Sequence, residues 1–287
     1  MTAPERKKVT ITTLRNKKNK GDKTVFITAY DFPFAKLADE AGVDMILVGD
    51  SLGMTVLGHE TTLPVTMEDM IRHSQAVRRA VKYAFIVGDM PFMSYQTSDR
   101  DAVINAGRFI AEAGCDCVKL EGGRRVASRV RAIVDAGILV MGHLGLTPQN
   151  ALQVGGYRVQ GKDIQGFKDL LDDALALQEA GISSLLLEGI PNRVAGLIAR
   201  QLTIPVYGIG AGRELDGQLI IMHDILGLFD RFVPKFVKKY ASLGELARNA
   251  MKAYADDVRT VSFPSDEQFY DIPADNLKEI EAFMLKN

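Results

Sequence analysis

Acidic residues recur at the ends of short apolar runs in this chain of 287 residues. Asp31 follows TVFITAY, Asp50-Ser51 ends DMILVGDS, Asp89 falls in FIVGDM, Glu121 in CVKLEG, and Glu188 closes SSLLLE. Lys119 and His143 occupy the same kind of place in CVKLEG and ILVMGHLG. Carboxylates gathered at one mouth repel one another unless a cation lies among them. All-oxygen donors suit Mg²⁺ or Mn²⁺ rather than Zn²⁺, and Mg²⁺ keeps positions for water and substrate oxygens. A lysine on a buried run needs a charged partner or an anionic ligand. The set therefore points to metal-assisted acid–base chemistry on a small anionic substrate.

Each position also has a plainer reading. An aspartate ending a strand often caps the next helix. That reading is strongest for Asp31, which precedes Phe32-Pro33, and weakens as acids recur at the second, third, fourth and sixth runs. His143 has an equal claim as a hydrogen-bonded structural histidine. His59 and His73 fall in a loop and a helix, where structural or surface roles are expected. His223 lies near the end of an eighth run and is a weaker site candidate.

The elements that must position these groups alternate along the chain. Strands are expected at 24–30, 44–50, 85–90, 117–122, 138–145, 183–188, 204–210 and 218–224. Helices are expected at 32–41, 67–82, 101–113, 124–136, 163–180 and 193–201, with helical material from the eighth strand through Tyr254. Alternating strands and helices imply a parallel sheet, and apolar strands without clean alternation imply burial on both faces. Eight such units favour a closed (β/α)₈ TIM barrel, whose active site lies at the C-terminal ends of the strands. The alternative is an open doubly wound sheet, but no G-x-G-x-x-G follows the first strand, and the GIGAG of Gly208–Gly212 comes late. Gly42, Gly114, Gly137 and Gly181 close helices where a positive φ is needed. Residues 51–66 and 144–162 are long for such connections and are candidate lids or oligomer contacts. The whole chain, 1–287, reads as one barrel domain with an N-terminal helical segment at about 8–20 and a C-terminal arm at about 262–287.

Composition excludes several classes. A formal net charge of −1 gives no footprint for nucleic acid or an anionic membrane. No stretch approaches the roughly 18 apolar residues of a membrane span. The basic N-terminal run, Lys7 to Lys20, is followed by no signal-peptide core and reads as a solvated helix over one end of the fold. Cys115 and Cys117 are the only cysteines, a disulfide between them is not expected, and a reducing, cytoplasmic compartment is.

Longer motifs add a resemblance. VGDSLGM (48–54), TLPVTMEDM (62–70), GDMPFMSYQ (88–96), VKLEGG (118–123), GHLGLTPQ (142–149), GGYRVQG (155–161) and GIGAGRELDGQ (208–218) occur in order. From about Val9 to Pro264 the chain resembles the 3-methyl-2-oxobutanoate (ketopantoate) hydroxymethyltransferases. The resemblance implies a barrel of the phosphoenolpyruvate mutase/isocitrate lyase type. It implies transfer of a hydroxymethyl group from 5,10-methylenetetrahydrofolate to 3-methyl-2-oxobutanoate, giving 2-dehydropantoate on the route to pantothenate and coenzyme A. It implies one Mg²⁺ per subunit, held by Asp50 and Asp89 with Glu121 nearby. Substrate contacts fall on Asp50, Ser51, Asp89, Lys119 and His143, and the proton acceptor on Glu188. A homo-oligomer, a decamer in many members, is also implied. Gly189 departs from the pattern, which has a larger or thiol residue there. The tail beyond Tyr270 is longer than usual. Another Mg²⁺-dependent 2-oxo acid enzyme of the same barrel group is the alternative, but the catalytic cysteine of its lyases is missing. A non-catalytic metabolite-binding barrel is a third reading, marked by an inert substrate C3–H.

Overall fold

The computed structural model describes residues 6–150 and 158–286. In chain order it forms α1 (Ile11–Lys20), β1 (Thr24–Thr28), α2 (Phe32–Glu40), β2 (Met45–Val48), α3 (Leu52–Thr55), α4 (Met67–Ala80), β3 (Phe85–Asp89) and α5 (Asp99–Ala111). There follow β4 (Cys117–Glu121), α6 (Ala127–Asp135), β5 (Val140–Gly145), α7 (Ile164–Glu179), β6 (Ser184–Glu188), α8 (Asn192–Arg200) and β7 (Val206–Ile209). The chain ends with β8 (Gly217–Ile220), α9 (Met222–Ile225), α10 (Leu243–Arg259) and α11 (Ala274–Met284). Each strand pairs in parallel with the next, and β8 pairs back with β1, so the sheet is a closed barrel. The open doubly wound alternative is excluded.

Two apolar layers hold the barrel. Alternate side chains of each strand face opposite ways. Met45, Leu47, Phe85, Val87, Cys117 and Met141 meet in the barrel interior. Their neighbours Ile46, Val48, Ile86, Val118 and Leu120 join the larger core beneath the helices. Cys115 and Cys117 are free and fall in different clusters, because Cys115 precedes β4 and packs beneath the helices while Cys117 faces the barrel interior.

The N-terminal end of the barrel is sealed. Val9 and Leu14 belong to the interior cluster, and Leu14 is fully buried. Burying one leucine stabilises by about 2 kcal/mol. Around them, Lys8, Lys17 and Lys18 pair with Asp116, Asp44 and Asp216 at 2.7, 2.7 and 2.8 Å. Each aspartate directly precedes a strand and also accepts a backbone N–H from the neighbouring strand: Ile86, Val25 and Val206 respectively. The basic segment therefore lies over one end as expected, but three of its lysines are paired rather than solvated.

Local rules explain most element ends. Thr10, Asp31, Thr66, Ser98 and Asp163 cap helices with their side chains. Ser98 starts α5 two residues before the expected 101. The expected strand at 218–224 ends at Ile220, because the Met222 N–H goes to Thr28 Oγ1 and α9 begins there. The expected continuous helix after it is interrupted: residues 226–242 are irregular before α10 starts. Gly42, Gly114, Gly137 and Gly181 all adopt positive φ. Neither α10 nor α11 buries a residue, and Met251, Tyr254, Phe283 and Leu285 stand exposed. No helix among the described residues is long and apolar enough to cross a membrane.

Candidate active site

Strand alternation collects the site. Asp89 lies two residues beyond inward-facing Val87, Lys119 and Glu121 two and four beyond Cys117, and His143 and Glu188 two beyond Met141 and Leu186. All five turn into the barrel above its apolar layer. Asp50 and Ser51 join them from the turn after β2. One cavity of about 670 Å³ is lined by Asp50, Ser51, Asp89, Lys119, Glu121, His143 and Glu188. Every site residue that the family resemblance implied is thus at the same place. Asp31 is not: its carboxylate accepts the Phe34 N–H at 2.9 Å and caps α2.

Lys119 is the central cation. Its Nζ lies 2.7 Å from Asp89 Oδ1 and 3.4 Å from Glu121 Oε1. Burial opposes its charge, but Asp89, Glu121 and Asp50 outweigh burial and hold the ammonium above its ordinary range. It is a fixed charge at any working pH. Glu121 has three partners: Lys119, the Gln149 N–H at 3.1 Å and His143 Nδ1 at 3.3 Å. Burial would raise its carboxyl, yet Lys119 and His143 hold it below the usual range.

His143 stands between two carboxylates, with Nε2 3.2 Å from Glu188 Oε2. Neither ring nitrogen has hydrogen-bond geometry, so these are ion-pair contacts. Burial and Lys119 depress the imidazole, but the two carboxylates prevail and bring it up to about 9. At neutral pH it is an imidazolium that holds Glu188 aimed inward. Glu188 is the more open partner, with 16% of its side chain exposed. Gly145, at φ +96, lets β5 pass under β6: a Cβ there would meet the Glu188 carbonyl oxygen at 2.1 Å. Gly189 also adopts positive φ, which accounts for glycine at the one departing position.

Asp50 has no cationic partner of its own. Gln149 Nε2 donates to its Oδ2 at 3.0 Å, while its backbone N–H goes to Asp89 Oδ2 at 3.0 Å. Burial and the charge of Asp89 push its carboxyl well above the ordinary range, against the pull of Lys119. The folded protein therefore holds a proton here that the unfolded chain releases near pH ~4. Stability falls as pH rises from there until the raised folded value is passed. Asp50→Asn should stabilise the metal-free protein at pH 7 and raise its Tm. Thermal unfolding in EDTA tests this, and an unchanged or lower Tm would mean that Asp50 is not an uncompensated charge.

Three residues were not foreseen as part of the site: Asp224, which lines the cavity, and Gln149 and Tyr95, which support its carboxylates from behind. Gln149 is buried and links Asp50, Glu121 and the Met90 carbonyl, and its Oε1 accepts from Tyr95 Oη. The Tyr95 hydroxyl also accepts the Glu121 N–H at 3.1 Å. Asp224 lies across the cavity, on α9. His223, beside it, stacks on Tyr30 instead of facing the cavity. Tyr30 Oη bonds Ser51 Oγ at 2.8 Å. His73 bonds the Tyr30 carbonyl, and His59 stays outside the site. Of the two expected lids, 51–66 contributes Met54, Thr55 and Thr62, and the other contributes Leu146, Pro148, Arg158 and Val159. Part of that second loop, 151–157, including the start of GGYRVQG, is outside the described residues.

A family model described as ketopantoate hydroxymethyltransferase matches residues 8–266. The chain belongs to the ketopantoate hydroxymethyltransferase family. Relatives named 3-methyl-2-oxobutanoate hydroxymethyltransferase support the assignment. The one from Alkaliphilus metalliredigens is 54% identical over 96% of this chain and 97% of its own. The one from Koribacter versatilis is 50% identical over 96% and 94%. The ketopantoate hydroxymethyltransferase barrel also resembles solved structures. A phosphonopyruvate hydrolase aligns with TM-score 0.60 at 13% identity, covering 96% of each chain. A 2,3-dimethylmalate lyase, described as a PEP mutase/isocitrate lyase superfamily member, aligns with TM-score 0.59 at 17% identity over 90% and 91%. These likenesses show the fold alone, and it is the expected type.

Proposed function

We propose that this chain transfers a hydroxymethyl group from 5,10-methylenetetrahydrofolate to C3 of 3-methyl-2-oxobutanoate, giving 2-dehydropantoate. The reading rests on family membership and on one observation above all: Glu188, His143, Glu121, Lys119 and Asp89 form an unbroken chain of charges around a single cavity.

The donor set fits a divalent cation. Lys119 and His143 balance two of the four carboxylates Asp50, Asp89, Glu121 and Glu188, and Asp50 is left without a cation. Among the described residues no three acidic, histidine or cysteine groups converge into a closed metal site. Mg²⁺ does not require one, since it takes one or two carboxylates and keeps water. Asp50 and Asp89 would hold it, with Glu121 acting at most through water. When bound, such an ion would polarise the 2-oxo acid and acidify its C3–H.

The protein's own groups perform the rest. The Lys119 ammonium and the Ser51 hydroxyl attract and orient the anionic acid. Glu188 Oε accepts the C3 proton. Lys119 then stabilises the negative charge that develops on the keto oxygen. His143 is a positioning residue: its imidazolium holds Glu188 against rotation. The C3 carbanion equivalent forms the new C–C bond to the one-carbon unit, water supplies the hydroxyl oxygen, and both C–N bonds of the donor's methylene break, so that tetrahydrofolate leaves with its two nitrogens protonated.

Proton NMR of 3-methyl-2-oxobutanoate in D₂O tests the reading. The protein with Mg²⁺ should erase the C3–H signal, and added methylenetetrahydrofolate should then yield product. A C3–H that stays inert in both samples would overturn it and favour a different 2-oxo acid. Localisation in the cytoplasm and homo-oligomeric assembly, with the exposed apolar faces of α10 and α11 as contacts, belong to the same proposal.

A further inference from the structure

One carboxylate on the cavity takes no part in this chemistry. Asp224 lies on α9 and is 3% exposed. Among the described residues no donor reaches its side-chain oxygens, and its nearest charge influence is Lys239, which is exposed. Burial pushes its carboxyl up to about 6, against the pull of Lys239, so at neutral pH it is ionised and short of donors. A buried acceptor without a donor is costly, and it is retained where a ligand completes it.

The surroundings say which ligand. The 2-oxo acid is an anion, and Asp224 would repel it. A molecule with two adjacent N–H donors satisfies a carboxylate with both oxygens at once. Beside Asp224 the segment after α9 brings Phe229, Phe232 and Phe236 to the cavity. Phe232 is 66% and Phe236 40% exposed, which is uncommon for aromatic side chains unless something flat packs on them. Gly210 and Phe236 also line a neighbouring pocket, which presents Arg213 and Lys238.

We propose that Asp224 and the Phe229–Phe232–Phe236 wall form the subsite for the pterin ring of the one-carbon donor, a role that rests on the function proposed above. The 2-amino group and N3–H of a reduced pterin offer the adjacent donors that Asp224 lacks. The flat ring lies on the phenylalanines, and the anionic glutamate end points toward Arg213 and Lys238. The geometry also links the two halves of the reaction. The Tyr30 hydroxyl feels the Asp224 charge and hydrogen-bonds Ser51 on the acid's side.

The test is calorimetric binding of tetrahydrofolate and of tail-less 6-methyltetrahydropterin to wild type, Asp224→Asn and Phe232→Ala. Asp224→Asn should weaken both ligands by at least about tenfold. Phe232→Ala alters an exposed side chain and should weaken both by about threefold or more. Wild-type affinity in both variants would overturn the proposal. So would an Asp224→Asn loss seen with tetrahydrofolate but absent with 6-methyltetrahydropterin. If Asp224→Asn does not fold, Phe232→Ala decides. Metal-dependent C3–H exchange without folate is measured in parallel and should stay within about twofold of wild type in both variants, because neither residue touches the acid. Lost exchange in the wild type would sink the function while leaving pterin binding by Asp224 to stand or fall alone.

Discussion

Glu188→Gln should bind 3-methyl-2-oxobutanoate as the wild type does yet exchange its C3–H at least about 10³-fold more slowly. General base catalysis contributes on the order of 10²–10⁴, and the amide has no basic oxygen to offer. The substitution keeps the shape of the side chain and keeps an oxygen facing His143 Nε2, 3.2 Å away in the wild type. Structural damage is therefore not expected to account for the loss. Two readouts separate the roles. Equilibrium binding of the acid in the presence of Mg²⁺ should be unchanged within a few-fold, and NMR exchange should be abolished. Exchange at the wild-type rate would remove Glu188 as the base. A companion His143→Gln should retain measurable exchange, because its imidazolium positions Glu188 without touching C3.

The second large effect concerns Asp89. It accepts from Lys119 Nζ at 2.7 Å and from the Asp50 N–H at 3.0 Å, and it is 1% exposed. Asp89→Ala leaves an ammonium buried with Glu121 as its one direct partner and a backbone donor with none. Breaking one side of a buried ion pair costs about 3–5 kcal/mol, and urea unfolding in EDTA should register a loss of that order. Asp89→Asn keeps an acceptor for both donors and should lose less stability. Both variants should bind Mn²⁺, read by electron paramagnetic resonance, at least about tenfold more weakly than wild type. Wild-type Mn²⁺ affinity in a folded Asp89→Asn would mean that Asp89 serves Lys119 and not the metal.

The fold was legible in the sequence because each barrel strand is a short apolar run and each site residue stands at a fixed step beyond one. Counting by twos from Val87, Cys117, Met141 and Leu186 reaches Asp89, Lys119, Glu121, His143 and Glu188. Long-range partners were less legible. Gln149 reads locally as a loop residue, and only the closed barrel brings it to Asp50 and Glu121. Asp224 was hidden by an apolar run, QLIIMHD, that looks like one strand. The run breaks at Ile221 because Thr28, almost the whole chain away, captures the Met222 N–H. Lys8 and the α1 lysines Lys17 and Lys18 look solvated for the same reason: their aspartates are supplied by three distant strand starts.

Those strand starts have a kinetic consequence. With Leu14 and its ring of lysine–aspartate pairs stoppering one end, ligands reach the reacting groups from the other end only. A small acid at the floor and a bulky carbon donor above it cannot exchange places. On the proposed function, loading should then be ordered, acid first and donor second, with tetrahydrofolate departing before the elongated acid. Steady-state inhibition should show that signature: 2-dehydropantoate competes with 3-methyl-2-oxobutanoate, tetrahydrofolate does not, and excess donor arriving early blocks turnover.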